Sequence, residues 1–111
     1  MVQLSDRLDA SFGALADATR RGILERLGRG DASISDLAAH FDMTLTGMKK
    51  HVQVLEAAGL VTTEKVGRIR TCRLGPRRLD AESVWIERYR EMLEGRLDRL
   101  GAFLERSRDQ R

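Results

Sequence analysis

The sequence of 111 residues has a single cysteine, Cys72, a single proline, Pro76, two histidines, and only one Trp, one Tyr and three Phe. A lone cysteine excludes an internal disulfide and any metal site built from a pair of cysteines in one chain. With so few aromatics, the core must be mainly Leu, Val, Ile and Ala. No apolar run approaches the length of a membrane span. The first residues, MVQLSDRLDA, are charged and amphipathic, unlike a secretory signal. Together these absences predict a cytoplasmic protein with no membrane partner. Also lacking are a nucleophile–base–acid set, a glycine motif that cradles phosphate and a His/Cys cluster, which makes an enzyme the weakest function class and leaves no cofactor to expect.

What is present is an ordinary hydrophobic fraction of 41%, a charged fraction of 33%, a net charge of +3 and a pI near 9.6. The length fits one domain over 1–111, burying roughly two-thirds of its unfolded surface. A polyanionic partner is compatible with the mild excess of cation and not demanded by it, so the distribution of charge has to decide.

The stretch Thr44 to Gly59, TLTGMKKHVQVLEAAG, is the most informative. Met48, Val52 and Leu55 fall at i, i+4 and i+7 and can bury one side of a helix, while Thr46, Lys49, Lys50 and Gln53 share another part of its circumference. Thr44 can cap the first turn and Gly59 can close the last in the left-handed conformation. Before it, Ser35 is placed to cap a short helix with apolar positions Ile34, Leu37, Ala38 and Phe41, and only Asp42 and Met43 separate that helix from Thr44. A short helix, a tight turn and a longer cationic helix form the order of a helix-turn-helix, residues 35–58.

Upstream, Leu4, Leu8, Phe12 and Leu15 mark an amphipathic first helix, and Asp17 offers a cap for a second, Ala18 to Leu27, with Ile23, Leu24 and Leu27 inward and Gly28 as its stop. Arg20, Arg21 and Arg26 lie on its outside, and solvated surface charge is preferred to phosphate contact for them. GRGDAS reads as a polar loop.

Downstream of Gly59 the period changes from 3.6 to 2. LVTTEKV and IRTCRL flank a turn at Gly67, predicting a two-stranded hairpin over 60–74. Lys65, Arg68, Arg70, Arg73, Arg77 and Arg78 fall between 65 and 78 with no acidic residue, so the modest whole-chain charge conceals a local concentration of cation. A helix-turn-helix followed by such a hairpin is a winged helix, mainly α with a β-hairpin wing. Arg68 and Arg70 near the tip are within reach of phosphate or the minor groove.

From about Leu79 to Ser107 one long helix follows. Ile86, Tyr89, Leu93, Leu97, Leu100 and Leu104 form its stripe, widened by Trp85, Met92 and Phe103. Its charges nearly balance. Such a face, with the first helix, is expected to pack against a second copy of the chain, so 1–16 and 79–107 are the dimerisation segments. The predicted interface residues are Leu4, Leu8, Trp85, Tyr89, Leu93, Leu97, Leu100 and Leu104.

FGALADATRRGILERL, then ISDLAAHFDMTLTGMKKHVQVLEAAGLV, then the Gly67-Arg68 wing resembles the ArsR-type winged-helix repressors over about residues 12–74. The resemblance implies a homodimeric repressor of five helices and a two-stranded wing, dimerising through its first and last helices, with the Thr44 to Ala58 helix in the major groove of an operator in double-stranded DNA. That family usually has Pro where Ala18 stands here. Its recognition helix usually begins Ser-Gln-Pro-Ala-Val-Ser-Lys-His-Leu, against Thr44-Leu45-Thr46-Gly47-Met48-Lys49-Lys50-His51-Val52 here. The cap, the buried apolar positions, Lys50 and His51 persist, whereas Leu45, Thr46, Gly47 and Lys49 depart at positions that would face bases. The cysteines that metal-sensing relatives carry in the helix at Ser35 to Phe41, and the His and carboxylate ligands they carry on the last helix, are not matched, and Cys72 stands where the family usually has an aromatic.

The expected DNA-contact set is therefore Thr44, Leu45, Thr46, Lys49, Lys50, Gln53, Arg68 and Arg70, with no metal and no catalytic residue. Several residues have two readings. His51 is expected to make a structural or phosphate hydrogen bond in preference to a metal bond. Cys72 is either a small core residue, the preferred reading, or a redox switch activated by neighbouring arginines. Trp85 and Tyr89 are preferred as interface core over the lining of a pocket for an unknown small-molecule effector. At the level of the whole chain, the alternative to an operator-binding dimer is a winged helix that binds DNA non-specifically or docks on protein.

Overall fold

The computed structural model describes residues 2–109, with side chains from 5 to 106. In chain order the elements are α1 (Val2–Leu15), α2 (Ala18–Leu27), β1 (Ala32–Ser33), α3 (Ile34–His40), α4 (Leu45–Ala57), β2 (Val61–Val66), β3 (Ile69–Leu74) and α5 (Asp80–Asp109). They fall into two compact units that divide between Arg78 and Leu79.

In the first unit the local signals place the helices. Asp17 caps α2 by accepting the Arg20 N–H at 3.1 Å, and Gly28 stops it, its N–H reaching Leu24 O at 2.9 Å. That backbone hydrogen bond is the main reason the Asp17 carboxyl titrates below its ordinary value. Arg20 and Arg21, expected as solvated surface charge, also make hydrogen bonds within the chain. Arg20 donates to Gly13 O and Ala14 O, and Arg21 to Leu15 O at 2.7 Å, capping carbonyls at the end of α1, of which Gly13 O also accepts the Ala16 N–H.

Two expectations are corrected ahead of α3. The cap is Ser33, whose hydroxyl accepts the Asp36 N–H at 3.0 Å, and Ser35 is exposed in the first turn. Ser33 and Asp36 stand at capping-box spacing, and that starts the helix at Ile34. The end of GRGDAS is also strand: Ala32 pairs with Cys72 and Ser33 with Thr71, so the wing belongs to a three-stranded antiparallel sheet in the order β1-β3-β2. Two residues are too short a run to show alternation in sequence.

After α3 the chain turns through Asp42 at φ 53°, a conformation Asp tolerates better than most residues, and Thr44 starts α4 by accepting the Gly47 N–H. Met48, Val52 and Leu55 are 0–2% exposed and join Ile23, Leu37, Val61 and Cys72 in the core. The end of α4 is a Schellman motif. Gly59, at φ +76°, donates to Glu56 O and Leu60 donates to Leu55 O, both at 2.9 Å. Gly75 then lies so close that a Cβ there would sit 2.5 Å from Gly59 O, while its own N–H reaches Leu60 O. Arg77 Nη1 donates to Ser11 Oγ at 2.8 Å and Ala58 O at 2.9 Å, tying the segment after the hairpin to α1 and to the end of α4.

The hairpin has the register expected of a two-residue turn at Gly67 and Arg68. Val66 opposes Ile69, Lys65 opposes Arg70, and Thr63 opposes Cys72. In the second unit α5 runs 30 residues from Asp80, its first turn preceded by Leu79 at φ 60°. Ile86, Tyr89, Leu93, Leu97, Leu100 and Leu104 are 46–66% exposed, and Trp85 stacks on Tyr89 with ring centroids 5.7 Å apart and planes 6° from parallel. Leu8 is half-buried, and the Leu4 side chain lies outside the described residues. Among the described residues no helix is long and apolar enough to cross a membrane.

Candidate nucleic-acid interface

With one side of α4 committed to the core, Thr44, Leu45, Thr46, Lys49, Lys50 and Gln53 are exposed. Thr44 is occupied as an acceptor by the Gly47 N–H, and its hydroxyl retains a proton to donate outward. Where the start of α4 and the wing meet the segment 31–36 there is a cleft of about 610 Å³, whose charged lining is Lys49, Lys65, Arg68 and Arg70 together with Asp31 and Asp36, with Leu45 beside them. A neighbouring recess of about 390 Å³ adds Gln53 beside Lys49, Lys65 and Arg70. Five of the eight expected contact residues, Leu45, Lys49, Gln53, Arg68 and Arg70, therefore line these two neighbouring recesses, where four cations stand against the carboxylates of Asp31, Asp36 and Glu56. Thr44, Thr46 and Lys50 do not line them, although all three are exposed.

Lys65 belongs with this set and was not among the expected contacts. Pairing with Arg70 puts it on the sheet face that turns toward α4, a placement the period-2 alternation already contained. Arg70 is also less free than a tip residue. It donates to Thr63 Oγ1 at 2.9 Å, and Thr63 donates in turn to Glu56 Oε2 at 2.7 Å, a relay that holds the guanidinium against the end of α4. Arg73 faces the other way, 3.4 Å from Glu64 and 3.7 Å from Asp31, so its charge is spent within the chain.

His51 is half-buried behind α4. Arg20 Nη1, which can only donate, approaches its Nδ1 at 3.3 Å, linking α2 to the recognition helix. The hydrogen bond is structural, as the sequence suggested. Cys72 is fully buried. Burial first, and the Glu56 carboxylate second, push its thiol up to about 11, and Arg70 pulls the other way without prevailing. The arginines of the wing therefore do not activate this thiol. Among the described residues no group of three or more His, Cys, Asp or Glu could hold a metal ion.

Residues 15–64 match a family model described as a helix-turn-helix domain. The chain is 35% identical over 81 residues to the HTH-type transcriptional regulator Rv2034 of Mycobacterium tuberculosis, covering 73% of this chain and 76% of the relative. An ArsR-like transcriptional regulator from Rhodococcus sp. RHA1 superposes with a TM-score of 0.79 at 34% identity, covering 95% of this chain and 96% of that one. The chain belongs to the ArsR family of helix-turn-helix transcriptional regulators. The transcriptional repressor SdpR of Bacillus subtilis is a further relative, 34% identical over 56 residues, which cover 50% of this chain and 62% of SdpR.

Membership gives the geometry its chemistry. An ArsR-family helix-turn-helix binds DNA, and the chain is a regulator of transcription, not an enzyme. Within the first unit α1, α2 and α3 pack on α4, and the exposed side of that helix lies beside a wing that carries Lys65, Arg68 and Arg70. A Lys can donate to guanine acceptors in the major groove, a Gln can pair with adenine, and an apolar side chain can meet a thymine methyl group.

Proposed function

We propose that this ArsR-family regulator is a homodimeric repressor that occupies an operator, each subunit placing the exposed side of α4 in one of two successive major grooves roughly 34 Å apart. The observation that carries this reading is the convergence of Lys49, Lys65 and Arg70 on both of two neighbouring recesses beside α4, with Arg68 in one and Gln53 in the other. Phosphate contact falls to Lys50, Arg68 and Arg70, with the Thr44 hydroxyl at the start of α4 as a further donor. Base reading falls to Leu45, Thr46, Lys49 and Gln53, of which Leu45, Thr46 and Lys49 depart from the family's usual run, so the operator does not follow from those of relatives. Dimerisation falls to α5, whose broad apolar stripe is exposed, together with Leu4 and Leu8 of α1. Similarity to a protein named as a transcriptional repressor favours repression over activation.

Selection of bound duplexes from a random DNA pool, followed by competition with non-specific DNA, tests the proposal. The expected result is an enriched sequence with two half-sites about ten base pairs apart, bound at least about a thousandfold more tightly than non-specific DNA. Equal affinity for selected and scrambled duplexes overturns it in favour of a non-specific DNA-binding or protein-docking module.

A further inference from the structure

The wing carries two different faces at its tip. Cross-strand partners share a face, so Lys65 and Arg70 point to the side of α4, and Val66 and Ile69, directly opposed to each other, point away from it. On the outward face the base of the hairpin is polar and internally satisfied, with Arg73 between Glu64 and Asp31. At the tip that face becomes apolar, with Val66 69% and Ile69 60% exposed on either side of the two-residue turn at Gly67 and Arg68. Two β-branched side chains so far out of the core bury almost nothing within the chain, and they stabilise a strand no better than Thr would at the same positions.

We infer that Val66 and Ile69 form an apolar wedge that enters the minor groove of DNA beside the major groove occupied by α4, bending the duplex and reading its deformability. The inference rests on the operator reading above. Charge decides the occupant. Residues 65–70 carry Lys65, Arg68 and Arg70 and no carboxylate, so a second copy of the wing would bring three cations against three, whereas a polyanion is drawn to the tip. The apolar pair is interleaved along the chain with those cations, Val66 following Lys65 and Ile69 standing between Arg68 and Arg70. Within a polyanionic duplex the surfaces that match a branched apolar side chain are the sugar walls and the faces of partly unstacked bases, which apolar wedges exploit in the minor groove. A bend made in this way costs least at flexible pyrimidine–purine steps, so the wedge confers sequence preference with no hydrogen bond to a base.

The test uses the full chain and a duplex recovered by the selection, labelled with a fluorophore at each end, with a scrambled duplex of equal length beside it. The double variant Val66→Thr/Ile69→Thr keeps β-branching while replacing one methyl group with a hydroxyl in the first case and shortening the side chain in the second. Its expected effects are an affinity about fiftyfold weaker, from about one buried carbon lost at position 66 and two at position 69, an end-to-end distance returned toward that of free DNA, and an unchanged slope of log K against log salt. Arg68→Ala is expected to lower that slope by about 0.9, separating apolar insertion from phosphate contact. Ile69→Leu, which retains the apolar surface, is expected to keep the parent's affinity, and an unaltered thermal melt of the double variant shows that its loss is not unfolding. Parental affinity and end-to-end distance in the double variant overturn the wedge. The parent's preference for the selected duplex over the scrambled one reports separately on the operator reading. A parent without preference that still loses affinity on substitution keeps the wedge and overturns the operator, and a parent with preference that is indifferent to substitution does the reverse.

Discussion

Two amphipathic helices of similar pattern meet different fates in this chain. In α4, Met48, Val52 and Leu55 disappear into the core and are 2% exposed or less, while in α5 the residues of an equally regular stripe stay 46–66% exposed. Periodicity says that a face needs cover, and it does not say whose. For α4 the cover is supplied by neighbours in the same chain, which leaves its opposite side rigidly displayed for DNA. For α5 the described apolar face stays uncovered within the chain, and the proposed cover is a second subunit.

Substitutions on the two helices should therefore act on different quantities. Leu55→Ala opens a cavity in the core of the first unit, and a loss of about 2–5 kcal/mol of unfolding free energy is expected by denaturant titration. A loss below 1 kcal/mol would mean that α4 is packed less firmly than its burial implies. Leu97→Asp places a charge in the proposed interface and should weaken the dimer about a hundredfold in sedimentation equilibrium, with far-UV circular dichroism of the monomer unchanged. A variant that stays dimeric moves the interface elsewhere. On the displayed side of α4, Lys50→Ala is expected to lower the salt slope of DNA binding by about 0.9 and to leave stability alone, and an unchanged slope removes Lys50 from the phosphate contacts.

Smaller effects probe the supporting shell. The Cys72 thiol, pushed up to about 11 by burial, should resist a thiol reagent at pH 7.5 until denaturant unfolds the chain. Rapid labelling of the folded protein would restore the redox reading. Asp17→Ala should lower the melting midpoint at neutral pH. Because the native Asp17 carboxyl titrates below its unfolded value of 3.8, its contribution is present above that pH and fades as pH falls through the lower native value, so the gap between variant and parent should close in acid. A gap that persists at pH 2 assigns the effect to helix propensity in place of the cap.

Much of the fold was legible because its signals are local. The Asp17 and Thr44 caps, the Gly59 stop, the apolar spacing of α4 and the Gly67 turn each act within a few residues, and each is found where the pattern predicts. What escaped sequence reading depends on partners far along the chain. Ala32 and Ser33 become a strand only because β3 passes beside them 40 residues later. Arg20 and Arg21 look like surface charge until the end of α1 is placed within reach. The same holds for the interface. Charge and alternation pointed to Arg68 and Arg70, and the same alternation held the place of Lys65 opposite Arg70, but the Glu56–Thr63–Arg70 relay follows from the packing of the hairpin against α4.

The division of labour between a displayed α4 and a pairing α5 is tested most directly by hydroxyl-radical footprinting of the full chain on its selected duplex. Two protected patches on one face of the DNA, about one helical turn apart, are the expected result, one for each subunit of a dimer. A single protected patch, or uniform protection along the duplex, would contradict it.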